Sequence, residues 1–275
     1  MIDILVSTYN GEQFLREQLD SILAQTYQNW QLFVRDDGST DNTREIIKHY
    51  TQSYPEKFIV YTDKLGNIGP KRSFEELLTH CAKNEYIMFC DQDDVWLPNK
   101  IELFVQKMHK VEAQFANLPL VVHGDMIVVD KNLDSIHPSF WQYSHIRPEI
   151  LDDKLYFLAI CNTITGCSCL FNNKAKQYML PISKQAYMHD AWLGLTTLKN
   201  KGKIIPIFEP TMLYRQHNTN TLGAVNYQKV RFDVAFKKKM ATQVYHQAKD
   251  VVFKNKLEFW FYKVIYFVYR HIRIR

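Results

Sequence analysis

Short apolar runs alternate with helix-period segments through the first third of the chain. Residues 2–6 form an apolar run of strand length, and residues 11–25 follow with Leu15, Leu19, Ile22 and Leu23 on one face of a 3.6-residue period. The pattern then predicts a strand at 32–34, a helix over 41–50, a strand over 58–61, a helix over 70–81 opened by Pro70, and a strand over 86–90. This β-α-β-α-β-α-β order is that of an α/β protein with a mostly parallel sheet and helices on both faces. In such open sheets ligands collect beyond the carboxyl ends of the strands. Polar turns rich in acid stand there: Ser7-Thr8-Tyr9-Asn10-Gly11, Arg35-Asp36-Asp37-Gly38-Ser39-Thr40-Asp41 and Asp91-Gln92-Asp93-Asp94.

Further along, the pattern predicts a helix over 98–116, β-like runs at 120–122, 126–129 and 163–171, helices near 174–179 and 191–199, and an apolar run at 204–208. There is no internal repeat and no Ser/Gly-rich linker. The simplest partition is one α/β domain over residues 1–220 and a basic, aromatic helical tail over 221–275.

Composition adds little until charge is followed along the chain. The 275 residues are 46% hydrophobic and 23% charged, with nine Gly and nine Pro, which excludes collagen-like and low-complexity classes. The net charge of +5 is unevenly spread: residues 229–275 hold 12 Lys/Arg against 3 Asp/Glu, a net +9, which leaves −4 on the remainder. Within the tail Leu257, Trp260, Phe261, Val264, Ile265, Val268 and Ile272 fall on one helical arc, with Lys263 and Arg270 elsewhere on the wheel and Lys237-Lys238-Lys239 upstream. That arrangement suits an interfacial helix on an anionic membrane, or a helix packed back on the body with its lysines solvated. Arg270, Arg273 and Arg275 interrupt the apolar run, so the tail is not expected to span a bilayer. Base-reading motifs are absent, which disfavours nucleic-acid binding. The N-terminus lacks a charged segment ahead of a long apolar run, and five cysteines show no paired framework; both fit a reduced, cytoplasmic protein.

Asp91 and Asp93, one residue apart at the end of an apolar strand, can reach a single divalent cation directly or through water. Their hard oxygens suit magnesium or manganese. In Asp36-Asp37-Gly38-Ser39 the side chains can cap the next helix, and one carboxylate can accept from a base N–H. Asp190, just ahead of a predicted helix, can cap it.

Taken together, Val6-Ser7-Thr8-Tyr9-Asn10, Asp36-Asp37-Gly38-Ser39-Thr40-Asp41 and Asp91-Gln92-Asp93-Asp94-Val95-Trp96, in that order, resemble the family 2 glycosyltransferases of the nucleotide-diphospho-sugar transferase (GT-A) fold. Met188-His189-Asp190-Ala191-Trp192 and Tyr214-Arg215-Gln216-His217-Asn218 look most like the bacterial rhamnosyltransferase-like branch. The resemblance implies that Thr8 and Tyr9 border the base, that Asp37 accepts from the N3–H of uracil or thymine, and that Asn67 approaches the nucleotide. Asp91 would lie at the ribose and the metal, and Asp93 would be the principal metal ligand, bridging to the diphosphate. His217 would be a third ligand, a diphosphate or acceptor contact, or without a role. Arg215 would pair with diphosphate oxygens, and Lys71 would neutralise phosphate or be solvated. Asp190 matches the catalytic base. His189 would tune Asp190, contact the acceptor or simply pack.

The expected activity is Mn2+- or Mg2+-dependent, inverting transfer of one sugar from a nucleotide-diphospho-sugar donor to a lipid-linked cell-surface polysaccharide precursor. The enzyme would sit at the inner face of the cell membrane. The resemblance points to dTDP-L-rhamnose, with a UDP-hexose as the alternative. A processive synthase would carry a Gln-x-x-Arg-Trp motif, which is absent. A sugar-1-phosphate nucleotidyltransferase would need a Gly-rich basic loop after the first strand, where Ser7-Thr8-Tyr9-Asn10-Gly11 stands. A non-catalytic membrane adaptor using the tail is the rival from outside the enzymes.

Overall fold

The computed structural model describes residues 1–218, 220, 224, 233–249 and 251–272. Strands β1 (Ile2–Thr8), β2 (Trp30–Asp36), β3 (Phe58–Val60) and β4 (Tyr86–Cys90) are parallel, connected by α1 (Leu15–Leu23), α2 (Thr43–Ser53) and α3 (Pro70–His80). β1 is apolar throughout except Asp3, Ser7 and Thr8 because both its faces are covered, one by Leu15, Leu19 and Ile22, the other by Phe74 and Leu77. The register aligns Thr8 with Asp36 and Val6 with Cys90, so the three polar turns leave the sheet at one edge.

The first helix starts later than its periodicity predicts. Gly11 N–H donates to Thr43 Oγ1 at 2.7 Å and Glu12 N–H to Asp41 Oδ2 at 3.0 Å, which draws the segment before Leu15 into a turn on the neighbouring loop.

Beyond β4 the chain makes β5 (Val95–Trp96), α4 (Lys100–Gln114), β6 (Leu120–Val129) and β7 (Ser135–His137). The short helices α5 (Phe140–Tyr143), α6 (Pro148–Leu151) and α7 (Leu155–Leu158) occupy the stretch where no periodicity is legible. A 3₁₀ turn (Gly166–Ser168) leads into β8 (Cys169–Asn172), followed by α8 (Asn173–Met179), α9 (His189–Lys199) and β9 (Lys203–Arg215). The sheet order is β3-β2-β1-β4-β8-β6-β9-β5, with β7 beside β6.

β8 runs antiparallel to β4, pairing Met88 with Leu170, and therefore delivers the turn before it to the end of β4 where Asp91 begins. β9 is parallel to β6 and pairs its far end with β5, Leu213 opposite Val95, which returns Arg215 and His217 beneath the acidic turn. Two expectations change here. The β-like run at 163–171 is broken by the 3₁₀ turn, and the two runs at 120–122 and 126–129 are one strand whose register slips around Gly124 and Asp125.

The tail forms α10 (Val234–Ala248) and α11 (Lys256–Ile272). Phe259, Tyr262 and Tyr266 of α11 face the body, with Tyr262 stacked on Tyr156 at 4.0 Å between centroids and Tyr266 against Phe157 at 5.9 Å. Leu257, Trp260, Phe261, Val264, Phe267 and Val268 point outward, Leu257 being 82% exposed. No helix among the described residues is long and apolar enough to cross a membrane. Arg273 and Arg275 lie outside the described residues.

Candidate active site

The turns at the edge of the sheet enclose a cavity of about 390 Å³ lined by Thr8, Tyr9, Asp37, Asn67, Asp91, Asp93 and Asp190, seven of the residues singled out by the sequence. Thr8 is buried and its hydroxyl donates to Asp36 Oδ1 at 3.2 Å, whereas the Tyr9 ring is exposed at the mouth. Asp37 is held from three sides: by Arg35 Nη1 at 2.5 Å, Ile68 N–H at 2.9 Å and Gly69 N–H at 2.8 Å. Arg35 carries no legible signal, yet it is fully buried and forks between Asp37 and Asp63, so it fixes the Asp37 carboxylate against the cavity wall. Gly66 and Gly69, both with positive φ, let the loop carrying Asn67 turn back over that carboxylate.

The acidic turn forms the opposite wall. Burial first, then the charges of Asp93 and Asp190, push the Asp91 pKa up to about 7. Asp93 accepts from His217 Nε2 at 2.7 Å and Asn220 Nδ2 at 3.3 Å, so β9 brings the proposed third ligand to the second carboxylate. Behind them Asp94 is fully buried, accepts the Arg215 N–H at 3.0 Å, and has its pKa raised well above the usual range by burial and by its two acidic neighbours. Ligand atoms of Asp91, Asp94 and Cys167 lie within 4.8 Å of one another. Burial keeps Cys167 a thiol, so the hard oxygens are the usable donors. A wall of crowded carboxylates, one of them held up to about 7, fits a hard dication such as Mn2+ or Mg2+.

Gln92 locks the turn to the first strand's loop, accepting from Tyr9 N–H at 2.8 Å and donating to Tyr9 O at 3.0 Å. Lys100 supports it from beneath. Its side chain is fully buried, Nζ donates to Cys167 O at 2.6 Å and lies 4.1 Å from the Trp96 ring centroid, and burial lowers its pKa to about 8. Lys100 was detectable: it shares the apolar face of α4 with Phe104, Met108 and Val111.

Asp190 opens α9 and points across the cavity at the 3₁₀ turn. Its carboxylate accepts from Gly166 N–H at 3.1 Å and Ala191 N–H at 2.6 Å, and burial raises its pKa to about 6. Asp190 lies inside the first turn of a helix whose N-cap is Met188, so it is not the cap that its sequence position suggests; its two backbone bonds orient a carboxylate that lines the cavity.

Two predicted residues are placed elsewhere. Lys71 Nζ donates to Lys184 O at 3.1 Å and Ala186 O at 2.8 Å, tying α3 to the segment before α9. The Arg215 guanidinium is buried, donating to Asp93 O at 2.7 Å, Lys131 O at 2.8 Å and Glu17, over the Phe14 ring. Neither lines the cavity; both brace its walls.

Comparison with known proteins identifies the family and the fold. The profile described as Glycosyl transferase family 2 matches residues 3–178. The dTDP-rhamnosyl transferase RfbG of Shigella flexneri is 29% identical over 227 residues, covering 80% of this chain and 74% of RfbG. The Escherichia coli UDP-Glc:alpha-D-GlcNAc-diphosphoundecaprenol beta-1,3-glucosyltransferase WfgD is 30% identical over 132 residues, 48% of each protein. Among solved structures, residues 1–349 of S. aureus TarS, in complex with UDP-GlcNAc, superimpose with a TM-score of 0.63 over 99% of this chain and 73% of that one, at 16% identity.

Proposed function

Because the chain belongs to glycosyl transferase family 2 and has the GT-A fold, we propose that this glycosyltransferase moves L-rhamnose from dTDP-L-rhamnose onto a lipid-linked polysaccharide precursor, with inversion and with a divalent cation. The observation that carries the reading is a single cavity in which Asp37, the Asp91/Asp93 wall and the Asp190 carboxylate face one another. RfbG supports the rhamnosyl donor, and the acceptor in the name of WfgD supports a lipid-linked diphosphate. The donor in WfgD's name also favours a second reading, transfer from UDP-glucose.

In either case the residues divide the work in the same way. Thr8, Tyr9, Asn67 and Asp37 receive the nucleoside, with Asp37 accepting from a pyrimidine N3–H. Asp91 and Asp93, with His217, would hold the cation, which supplies electrostatic stabilisation to the departing diphosphate. Asp190 takes the proton from the acceptor hydroxyl as its oxygen attacks the anomeric carbon opposite the leaving group. Its two backbone bonds keep the carboxylate aimed while leaving it lone pairs for that proton.

α11 belongs to the same reading. Its outward apolar arc, flanked by Lys254, Lys256 and Lys263, lies on the anionic inner surface of the membrane, where a lipid-linked acceptor is found. The purified protein should release nucleoside diphosphate from dTDP-L-rhamnose in the presence of Mn2+ and a lipid-linked acceptor. Asp93→Ala and Asp190→Ala should each lower turnover by at least about a hundredfold. Unchanged turnover in both variants rejects the site.

A further inference from the structure

Lys100 opens α4 and is fully buried, yet its ammonium spends its hydrogen bonds on neutral atoms. Nζ donates to Cys167 O at 2.6 Å and to Met212 Sδ at 3.0 Å, and it faces the Trp96 ring at 4.1 Å from the centroid. If the position needed nothing more than filling, methionine or leucine would serve it better, because an ammonium is costly to take out of water. What the charge is kept for follows from what it holds.

It holds a turn that the sheet does not. β8 pairs with β4 from Leu170 and with β6 from Cys169, so the 3₁₀ turn Gly166–Ser168 lies beyond both ladders. Side chains fasten it instead: Lys100 Nζ on Cys167 O, and Ser168 Oγ donating to Gly124 O at 2.9 Å. The Gly166 N–H of this turn is one of the two donors that aim the Asp190 carboxylate. A Cβ at position 166 would fall 2.7 Å from His189 Nε2 and 3.6 Å from Asp190 Cβ, so the turn packs directly on the start of α9 and any shift in it reaches Asp190. Toward the other wall, Lys100 lies against Trp96, two residues after Asp94, and the Cys167 thiol stands within 4.8 Å of carboxylate oxygens of Asp91 and Asp94. One buried ammonium thus joins the acidic turn to the turn that orients Asp190.

We propose that Lys100 is a positioning residue for sugar transfer: by holding Cys167 O it fixes the 3₁₀ turn, and through the Gly166 N–H it fixes the Asp190 carboxylate relative to the Asp91/Asp93 wall. The inference rests on the reading of Asp190 as the base. A lysine suits the task because its four-carbon stem reaches from α4 to the turn and ends in three donors. Without it the buried Cys167 O loses that donor, and a buried carbonyl lacking a partner is costly enough to move the backbone that carries it. A displacement of about 1 Å at a reacting group can slow the chemical step by up to about a hundredfold.

The test is a double-mutant cycle of Lys100→Met with Asp190→Asn, read as nucleoside diphosphate release with Mn2+ and GlcNAc-diphosphoundecaprenol, the acceptor in WfgD's name, from whichever of dTDP-L-rhamnose and UDP-glucose the wild type turns over. Lys100→Met alone should lower kcat by about tenfold or more while the donor KM stays within about threefold. On the Asp190→Asn background, where no base remains to be aimed, the same substitution should lower kcat by less than about threefold. Lys100→Gln, whose amide still donates, should recover part of kcat. Equal losses on the two backgrounds overturn the proposal. So does a raised donor KM or Mn2+ requirement with kcat unchanged, which would leave Lys100 serving the acidic turn alone. If circular dichroism shows that Lys100→Met does not fold, Lys100→Gln enters the cycle in its place under the same criterion, and a folded variant with wild-type kcat overturns the proposal. Asp190→Asn with wild-type turnover overturns the reading of Asp190 as the base, and a wild type inactive on both donors overturns the donor and acceptor reading beneath it.

Discussion

Burial sets the pH range over which Asp190, the proposed base, is ionised. A carboxylate drawn from an ordinary 3.8 to about 6 is protonated below that value and ionised above it, and only the ionised form can take a proton from the acceptor. With donor saturating, turnover should rise about tenfold per pH unit below pH 6 and level off above it. A pH profile flat from pH 5 to 8 would remove Asp190 as the base. Stability should move the other way. Between the ordinary and the raised pKa the folded chain binds the proton that the unfolded chain has lost, so Asp190 lowers stability as pH rises through that window. Denaturant unfolding at pH 4 and pH 7 should therefore show a smaller pH-dependent loss in Asp190→Asn than in the wild type. Asp91, Asp93 and Asp190 were all legible from residue type and position. Arg35 and Gln92 were not, because what makes them matter is a partner far off in sequence: Asp63 for one, Tyr9 for the other.

At the scale of elements, the parallel half of the sheet followed directly from periodicity, because strands covered on both faces are written as unbroken apolar runs. The antiparallel half was harder to read. β9 carries Pro206, Glu209 and Pro210 on exposed or partly exposed stretches, and β6 slips register around Asp125, a buried carboxylate that accepts from Met126 N–H at 2.8 Å and from Ser139. Both interruptions look like turns in the sequence. The junction of α9 and β9 is tight: a Cβ on Gly202 would meet Pro119 O at 2.3 Å, and backbone cannot step aside as a side chain can. Gly202→Ala should accordingly cost about 1–3 kcal/mol in urea unfolding. A change below about 0.5 kcal/mol would show that the junction yields.

For the molecule as a whole, the uneven charge acquires a location. α11 docks through Phe259, Tyr262 and Tyr266, so removing the tail would strip apolar contacts from α7 as well as any membrane surface. The cleaner probe is Trp260→Glu with Phe261→Glu, 52% and 61% exposed on the outward arc. That double variant should lose co-sedimentation with anionic liposomes while its melting temperature and donor binding stay at wild-type values; undiminished sedimentation would dismiss the arc as a membrane surface. The apolar arc itself was written in the sequence, since its period needs only the helix. Which side of α11 would be covered was not, since tyrosines and the arc residues are similarly apolar and the surface built by α6, α7 and α10 selects between them. The same division runs through the protein. Local pattern determined the first strands and helices, the acid-rich turns at their ends and the family they resemble, because those features depend on neighbours within a few residues. Tertiary structure decided that Arg215 and Lys71 brace the cavity, that Lys100 underpins the acidic turn, and that His189 packs against Gly166 between Phe74 and Phe89. Each of those outcomes depends on contacts between segments far apart in the chain, for Arg215 and Lys100 on β8 and β9 returning to the end of β4, which no local period encodes.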